Sequence, residues 1–154
     1  MKESYLSFKI NNEYYAMNVD YIHNIIEVEE ITTVPRMPEY FLGVINHRGE
    51  AIPVVDARIR FGLPEKKTDY NSCIIITEIK ADDVKVMFGI LIDEVSEVFS
   101  ISKTQIQPLD KININNRTQF ITGIYKKETS IIFILNPNEI YVEIHENNKM
   151  SGDG

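Results

Sequence analysis

Apolar and polar positions alternate at period two over Tyr5–Ile10 and again over Glu13–Val19, with Asn11-Asn12 between them, which predicts an N-terminal β-hairpin. The same arrangement returns further on: an apolar run Cys73–Ile79, a polar turn Lys80–Asp83, and a second run Val84–Ile92. After each hairpin come apolar residues at helical spacing, Val19, Ile22, Ile25 and Ile26 in the first case and Ile92, Val95, Val98 and Phe99 in the second. A helical turn or an irregular crossover is expected at both places. Four short runs rich in β-branched residues follow in two pairs, Gly43–Ile45 with Ala51–Val55 and Phe120–Tyr125 with Ile131–Leu135. Turn formers at Arg48-Gly49-Glu50 and Lys127-Glu128-Thr129 join each pair. Pro53 cannot donate to a ladder, so it is expected at an edge or a bulge.

The two halves of this pattern are copies of one another. Residues Ala16–Val28 align without a gap on Gly89–Ile101, an offset of 73, and Gly43–Asp56 align on Gly123–Asn136, an offset of 80. The difference places a loop seven residues longer in the second copy, between Leu109 and Thr118. About five strands per copy are expected, the number that closes a small barrel. The polar connector from Phe61 to Asn71 divides the chain into units of roughly 5–64 and 72–144 within one domain, with an outer strand free to cross between them. Asn136-Pro137-Asn138-Glu139 carries an N-cap, a proline at the first helical position and a glutamate behind them, predicting a short closing helix to about Ile144. Residues 145–154 are nearly devoid of apolar side chains and are expected to be a disordered tail.

Composition narrows the function. A net charge of −7 with 16 basic residues and no clustered Lys/Arg stripe disfavours a nucleic-acid partner. No apolar stretch approaches membrane-spanning length and no leader-like segment opens the chain, so a cytoplasmic protein without a span of its own is expected. The single cysteine, Cys73, begins an apolar run and suits a buried, reduced thiol. His23, His47 and His145 lack the spacing of a zinc site, and the 7 glycines form no phosphate cradle, so no metal or cofactor is expected. Asp20 and Asp93 are equivalent in the two copies, which points to a structural duty such as capping. The loop Asn46-His47-Arg48-Gly49 departs from its counterpart Lys126-Lys127-Glu128-Thr129. It is therefore either a tight turn with a solvated arginine or a donor-rich corner for a partner.

Gly43 through Gly62, with Val44, Asn46, Arg48, Gly49, Pro53, Val54, Asp56 and Arg58 in place, resembles the signature of the CheW-type chemotaxis coupling proteins. The similarity extends through Tyr5–Phe8, Gly89–Val98, Ile106–Pro108 and Ile121–Gly123, about residues 4–144. The resemblance implies an all-β fold of two SH3-like five-stranded β-barrel subdomains with a short C-terminal helix. It implies a non-enzymatic cytoplasmic adaptor that binds the tips of methyl-accepting chemoreceptors and the regulatory domain of a chemotaxis histidine kinase, with other domains of its own kind in arrays as a further candidate partner. Carried over by position, the receptor-facing residues are Ile22, Gly43, Arg48 and Val98, and the kinase-facing ones Gly89, Gln107, Lys111, Ile112 and Gly123. Asn24 stands where the family usually has a glutamate and His47 where it has a leucine. The alternatives are an adaptor of the same fold serving another kinase pathway, or a small enzyme using the Asn46-His47-Arg48 corner.

Overall fold

In the computed structural model the described residues are 1–63, 71–109 and 120–140. The strands are β1 (Lys2–Ile10), β2 (Glu13–Asn18), β3 (Ile22–Glu27), β4 (Phe41–His47), β5 (Glu50–Asp56), β6 (Cys73–Ala81), β7 (Val84–Ile92), β8 (Glu94–Ser102), β9 (Gln107–Pro108), β10 (Ile121–Lys127) and β11 (Ser130–Leu135). A one-turn helix α1 (Ala57–Arg60) follows β5, and residues 137–140 are helical after β11. The expected tail, the extra length of the second copy's loop, and the helix beyond Ile140 lie outside the described residues.

Two sheets form, ordered β8-β1-β2-β11-β10-β9 and β3-β6-β7-β5-β4. Their strand pairing is interleaved: hairpin β1–β2 joins strands from the second half of the chain, and hairpin β6–β7 joins strands from the first. The sheets therefore do not divide at the polar connector as the sequence copies do. Each curls into an SH3-like barrel closed by the segment that follows its outer strand. Thr32, beyond β3, bridges Val44 of β4, and β9, beyond β8, pairs with Gly123 and Ile124 of β10.

The duplication reappears in the registers. Gly89 of β7 lies opposite Val54 of β5 in parallel, and Ala16 of β2 lies opposite Ile134 of β11, the same two repeat positions. A bulge falls between Phe41 and Gly43 in one copy and between Ile121 and Gly123 in the other. Gly43 and Gly123 also share a cause. A Cβ on Gly43 would stand 2.1 Å from the Thr32 carbonyl oxygen, and one on Gly123 would stand 2.5 Å from Ile106 Cγ2 and 2.8 Å from the Gln107 oxygen. At each position the closing segment crosses too near for a side chain.

The hairpin strands are buried on both faces. Leu6, Phe8, Ile10, Ile75, Ile79, Phe88, Ile90 and Ile92 point into one core shared by the two sheets. Ile74, Ile76 and Leu91 fill one barrel with Ile45, Ile52 and Val54, while Tyr5 and Ala16 fill the other with Ile101, Ile132 and Ile134. This is why Cys73–Ile76 reads as a continuous apolar run rather than an alternating one.

The expected helical or irregular crossovers are corrected. A 3-10 turn covers only Val19–Tyr21, Ile92 ends β7, and the other residues at helical spacing belong to strands β3 and β8. A bulge in each strand, between Ile22 and Asn24 in β3 and between Val95 and Val98 in β8, turns the chain over, so that Ile22 and Val95 pack on the shared core while Ile26 and Phe99 enter the two barrels. Ile25 and Val98 stand opposite Ile75 and Leu6 in the ladders and are 40% and 61% exposed. Pro53 sits inside β5, but the ladder to β7 begins one residue later, at Val54, so no donor is missed. Its counterpart Phe133 pairs with Tyr15 and extends the equivalent ladder. Cys73 is half-buried at the head of β6, and burial pushes its thiol up to about 11.

Candidate binding surfaces

The receptor-facing residues inferred from resemblance fall on β3, β4, the β4–β5 turn and β8. Ile22 is half-buried against the shared core, Gly43 is enclosed by Thr32, and Val98 is exposed on an outer strand. Arg48 occupies a two-residue turn with Gly49, at φ of 53° and 84°. The tight turn and the solvated arginine both hold: Arg48 is exposed and makes no ion pair or hydrogen bond among the described residues. Asn46 Oδ1 accepts the Gly49 N–H at 3.1 Å, so the asparagine stabilises the turn. His47 Nε2 is buried without a partner. Asn24 Oδ1 accepts the N–H of Ile25 at 2.9 Å.

Among the kinase-facing residues, Gly89 faces a barrel interior, where a Cβ would stand 2.7 Å from Ile74 Cγ2. Gly123 lies under β9, and Gln107 is exposed on β9. Lys111 and Ile112 are outside the described residues. Among the described residues no set of three or more His, Cys, Asp or Glu is grouped to hold a metal ion, and no helix is long and apolar enough to cross a membrane.

The sequence reading missed an ionic triad. Asp56 caps α1, its Oδ1 accepting the Arg58 N–H at 2.9 Å. The Arg58 side chain, 1% exposed, folds back so that Nε and Nη2 lie 3.3 and 3.4 Å from the two Asp56 oxygens. Nη1 stands 3.3 Å from Asp93 Oδ1, an ion pair without hydrogen-bond alignment. Asp93 Oδ2 accepts the Asn11 N–H at 2.7 Å, and the Asp93 N–H donates to the Lys9 carbonyl at 3.1 Å. This latch fastens the tip of hairpin β1–β2 to the end of β7 and to α1. Its sequence trace was the Asp-Ala-Arg step behind β5, with Asp93 supplied from far along the chain.

The equivalent place in the other copy is open. Asn136 stands for Asp56 and Asn138 for Arg58; Asn136 Oδ1 accepts the Asn138 N–H at 3.1 Å, and its own N–H donates to Phe120 as that of Asp56 does to Tyr40. Asn138 Nδ2 reaches the Tyr21 hydroxyl at 3.5 Å. Asp20, the equivalent of Asp93, is exposed, and its N–H is taken by Asn18 Oδ1 at 2.8 Å. A cleft of about 650 Å³ opens here, bounded by Asp20, Tyr21, Asn136 and Asn138 and by hairpin β6–β7. On its floor Glu3 Oε2 accepts from the Tyr5 hydroxyl at 3.3 Å and from Asn18 Nδ2 at 3.2 Å. Burial, and then the Glu3 carboxylate, hold the Tyr5 phenol above its ordinary range.

Two interleaved barrels with closed edges, an arginine on a tight turn and exposed apolar residues at matched positions of two outer strands define a duplicated β-barrel interaction domain. The chain belongs to the CheW-like domain family, whose model matches residues 4–145. It is 34% identical over 140 residues to the chemotaxis protein CheW of Thermotoga maritima, covering 90% of this chain and 87% of that one. The chemotaxis protein CheW of Bacillus subtilis is 30% identical, covering 90% and 86%. The crystal structure of the scaffolding protein TtCheW from Thermoanaerobacter tengcongensis superposes with a TM-score of 0.77 at 31% identity, covering 88% of this chain and 90% of that one.

Proposed function

We propose that this protein is a non-enzymatic cytoplasmic scaffold that couples the tips of chemoreceptors to a chemotaxis histidine kinase. The observation that carries the reading is the family match across residues 4–145, which takes in both barrels. In this reading an amphipathic receptor hairpin lies against the surface bearing Val98 and Ile22, and Arg48, exposed and without a partner among the described residues, ion-pairs with it. Gly43 contributes by letting the barrel close beneath that surface. The regulatory domain of the kinase meets the side carrying Gln107, Lys111 and Ile112, with Gly89 and Gly123 shaping the barrel walls behind it. Array membership follows if other domains of the same kind use the same contacts. The Asn46-His47-Arg48 corner as an enzyme site is disfavoured, because Asn46 is committed to the turn.

The test is size-exclusion chromatography with light scattering of the protein mixed with the kinase regulatory domain and, separately, with a soluble receptor-tip hairpin. Complexes with both are expected, the receptor complex alone being lost in Arg48→Glu. Binding to neither would overturn the assignment of these partners and direct the search to another kinase pathway.

A further inference from the structure

The closed pole of the molecule supplies a template for the open one. Each of five latch residues has an equivalent on the cleft wall: Asp93 and Asp20, Asp56 and Asn136, Arg58 and Asn138, Lys9 and Glu78, Asn11 and Lys80. Two changes keep the second pole open. Hairpin β6–β7 is longer: beyond the matched rungs Ser7↔Ala16 and Ile76↔Gly89, β1–β2 runs only to Ile10↔Glu13, whereas β6–β7 runs on through Lys80↔Lys85 to Ala81↔Val84. Lys80 is therefore held in the ladder, where Asn11, in the turn, is free to donate to an aspartate. The arginine that fills the closed pole is replaced by the shorter, neutral Asn138. What remains is a carboxylate, Asp20, with no side-chain partner among the described residues, beside an unfilled volume.

We propose that the cleft docks an arginine of a partner protein, whose guanidinium enters from outside the position that Arg58 occupies from within at the other pole. Asp20 takes the role of Asp93; the Asn136 side-chain oxygen takes that of Asp56 by exchanging the Asn138 Nδ2 it accepts at 3.1 Å for the guanidinium; and Glu3, fixed through Oε2 by Tyr5 and Asn18 and 3.7 Å through Oε1 from the exposed Lys103, closes the site from the floor. A guanidinium suits this arrangement because its planar fork meets several acceptors at once, which an ammonium cannot. A cleft of about 650 Å³ exceeds one arginine side chain, so flanking residues of the segment enter with it. Lys80, Lys85 and Lys103 stand at the rim, all exposed, so acidic flanking residues are favoured. The site shares no residue with the receptor-facing and kinase-facing sets and stands independently of who those partners are.

The experiment is an amide NMR titration of the full chain with the blocked peptide Glu-Gly-Arg-Gly-Glu and with the same peptide carrying citrulline, which keeps the shape and the acids but removes the charge. Saturable shifts at Asp20, Tyr21 and Asn138 are expected with the arginine peptide, with binding about ten-fold weaker for citrulline. Asp20→Asn should weaken the arginine peptide to the citrulline level. Asn138→Arg, which supplies the missing side chain from within, should abolish binding and raise Tm. Equal binding of the two peptides, unchanged binding in Asp20→Asn, or no shifts with either peptide at millimolar concentration would each overturn the proposal. Asp20 is exposed, so its variant is expected to fold and decides the matter even if Asn138→Arg does not.

Discussion

The two poles descend from one plan and end in opposite states. At the first, an arginine 1% exposed lies between two aspartates and fixes a hairpin tip; at the second, asparagines stand for the arginine and one aspartate, Asp20 alone keeps its charge, and the hairpin stands clear. The shared framework, down to the cap from Asp56 or Asn136 and the backbone bond to Tyr40 or Phe120, survives in both. The difference is confined to a few side chains and two rungs of ladder. One pole is thereby committed to stability and the other left available to a ligand, because a buried ion pair must be complete to be tolerated whereas exposed polar groups can wait in water.

The largest effect is expected from breaking the latch. Arg58→Ala leaves Asp56 and Asp93 buried without a counter-charge and should cost about 3–5 kcal/mol in denaturant unfolding. The matching Asn138→Ala should cost no more than about 1 kcal/mol, since it removes only two neutral, part-buried hydrogen bonds, to the Tyr21 hydroxyl at 3.5 Å and to Asn136 Oδ1 at 3.1 Å. Costs of similar size at the two poles would mean that the triad is not what distinguishes them. Gly43→Ala comes next, at about 2–3 kcal/mol, because the Thr32 backbone would have to move. Gly123→Ala should be milder, its nearest obstacle being a side chain. Asn136→Ala should cost about 1 kcal/mol as a lost N-cap, and Asp56→Ala more, since it also strips Arg58.

Smaller effects test the periphery. The Cys73 thiol is raised from 9.0 to about 11 by burial, so the folded state favours its neutral form. The associated stability is complete below pH 9 and is lost as pH rises toward 11, and thiol labelling of the native protein should accelerate over that window rather than below it. Arg48→Glu should change folding stability by less than about 0.5 kcal/mol, the arginine being exposed and unpaired among the described residues, while removing the receptor contact proposed above. A large loss of stability in that variant would show Arg48 to be part of the fold.

The apolar pattern together with the internal repeat determined the two hairpins and the paired short strands after them, because these are local consequences of alternation and turn residues, whereas the matched bulges at Gly43 and Gly123 came to light only in the strand registers. Strands β3 and β8 were obscured because a bulge in each breaks the period-two alternation, and only their exposure in the fold shows that Ile25 and Val98 reach the surface. Family resemblance named candidate contact residues, yet it did not disclose that Gly89 faces a barrel interior or that Arg48 has no partner among the described residues. Tertiary structure alone decided that the hairpins pair across the two halves, that Asp93 meets Arg58, and that one pole closes while its twin remains a cleft. Those outcomes depend on contacts between residues far apart in the chain, where a two-rung difference in one hairpin decides whether a backbone N–H reaches an aspartate.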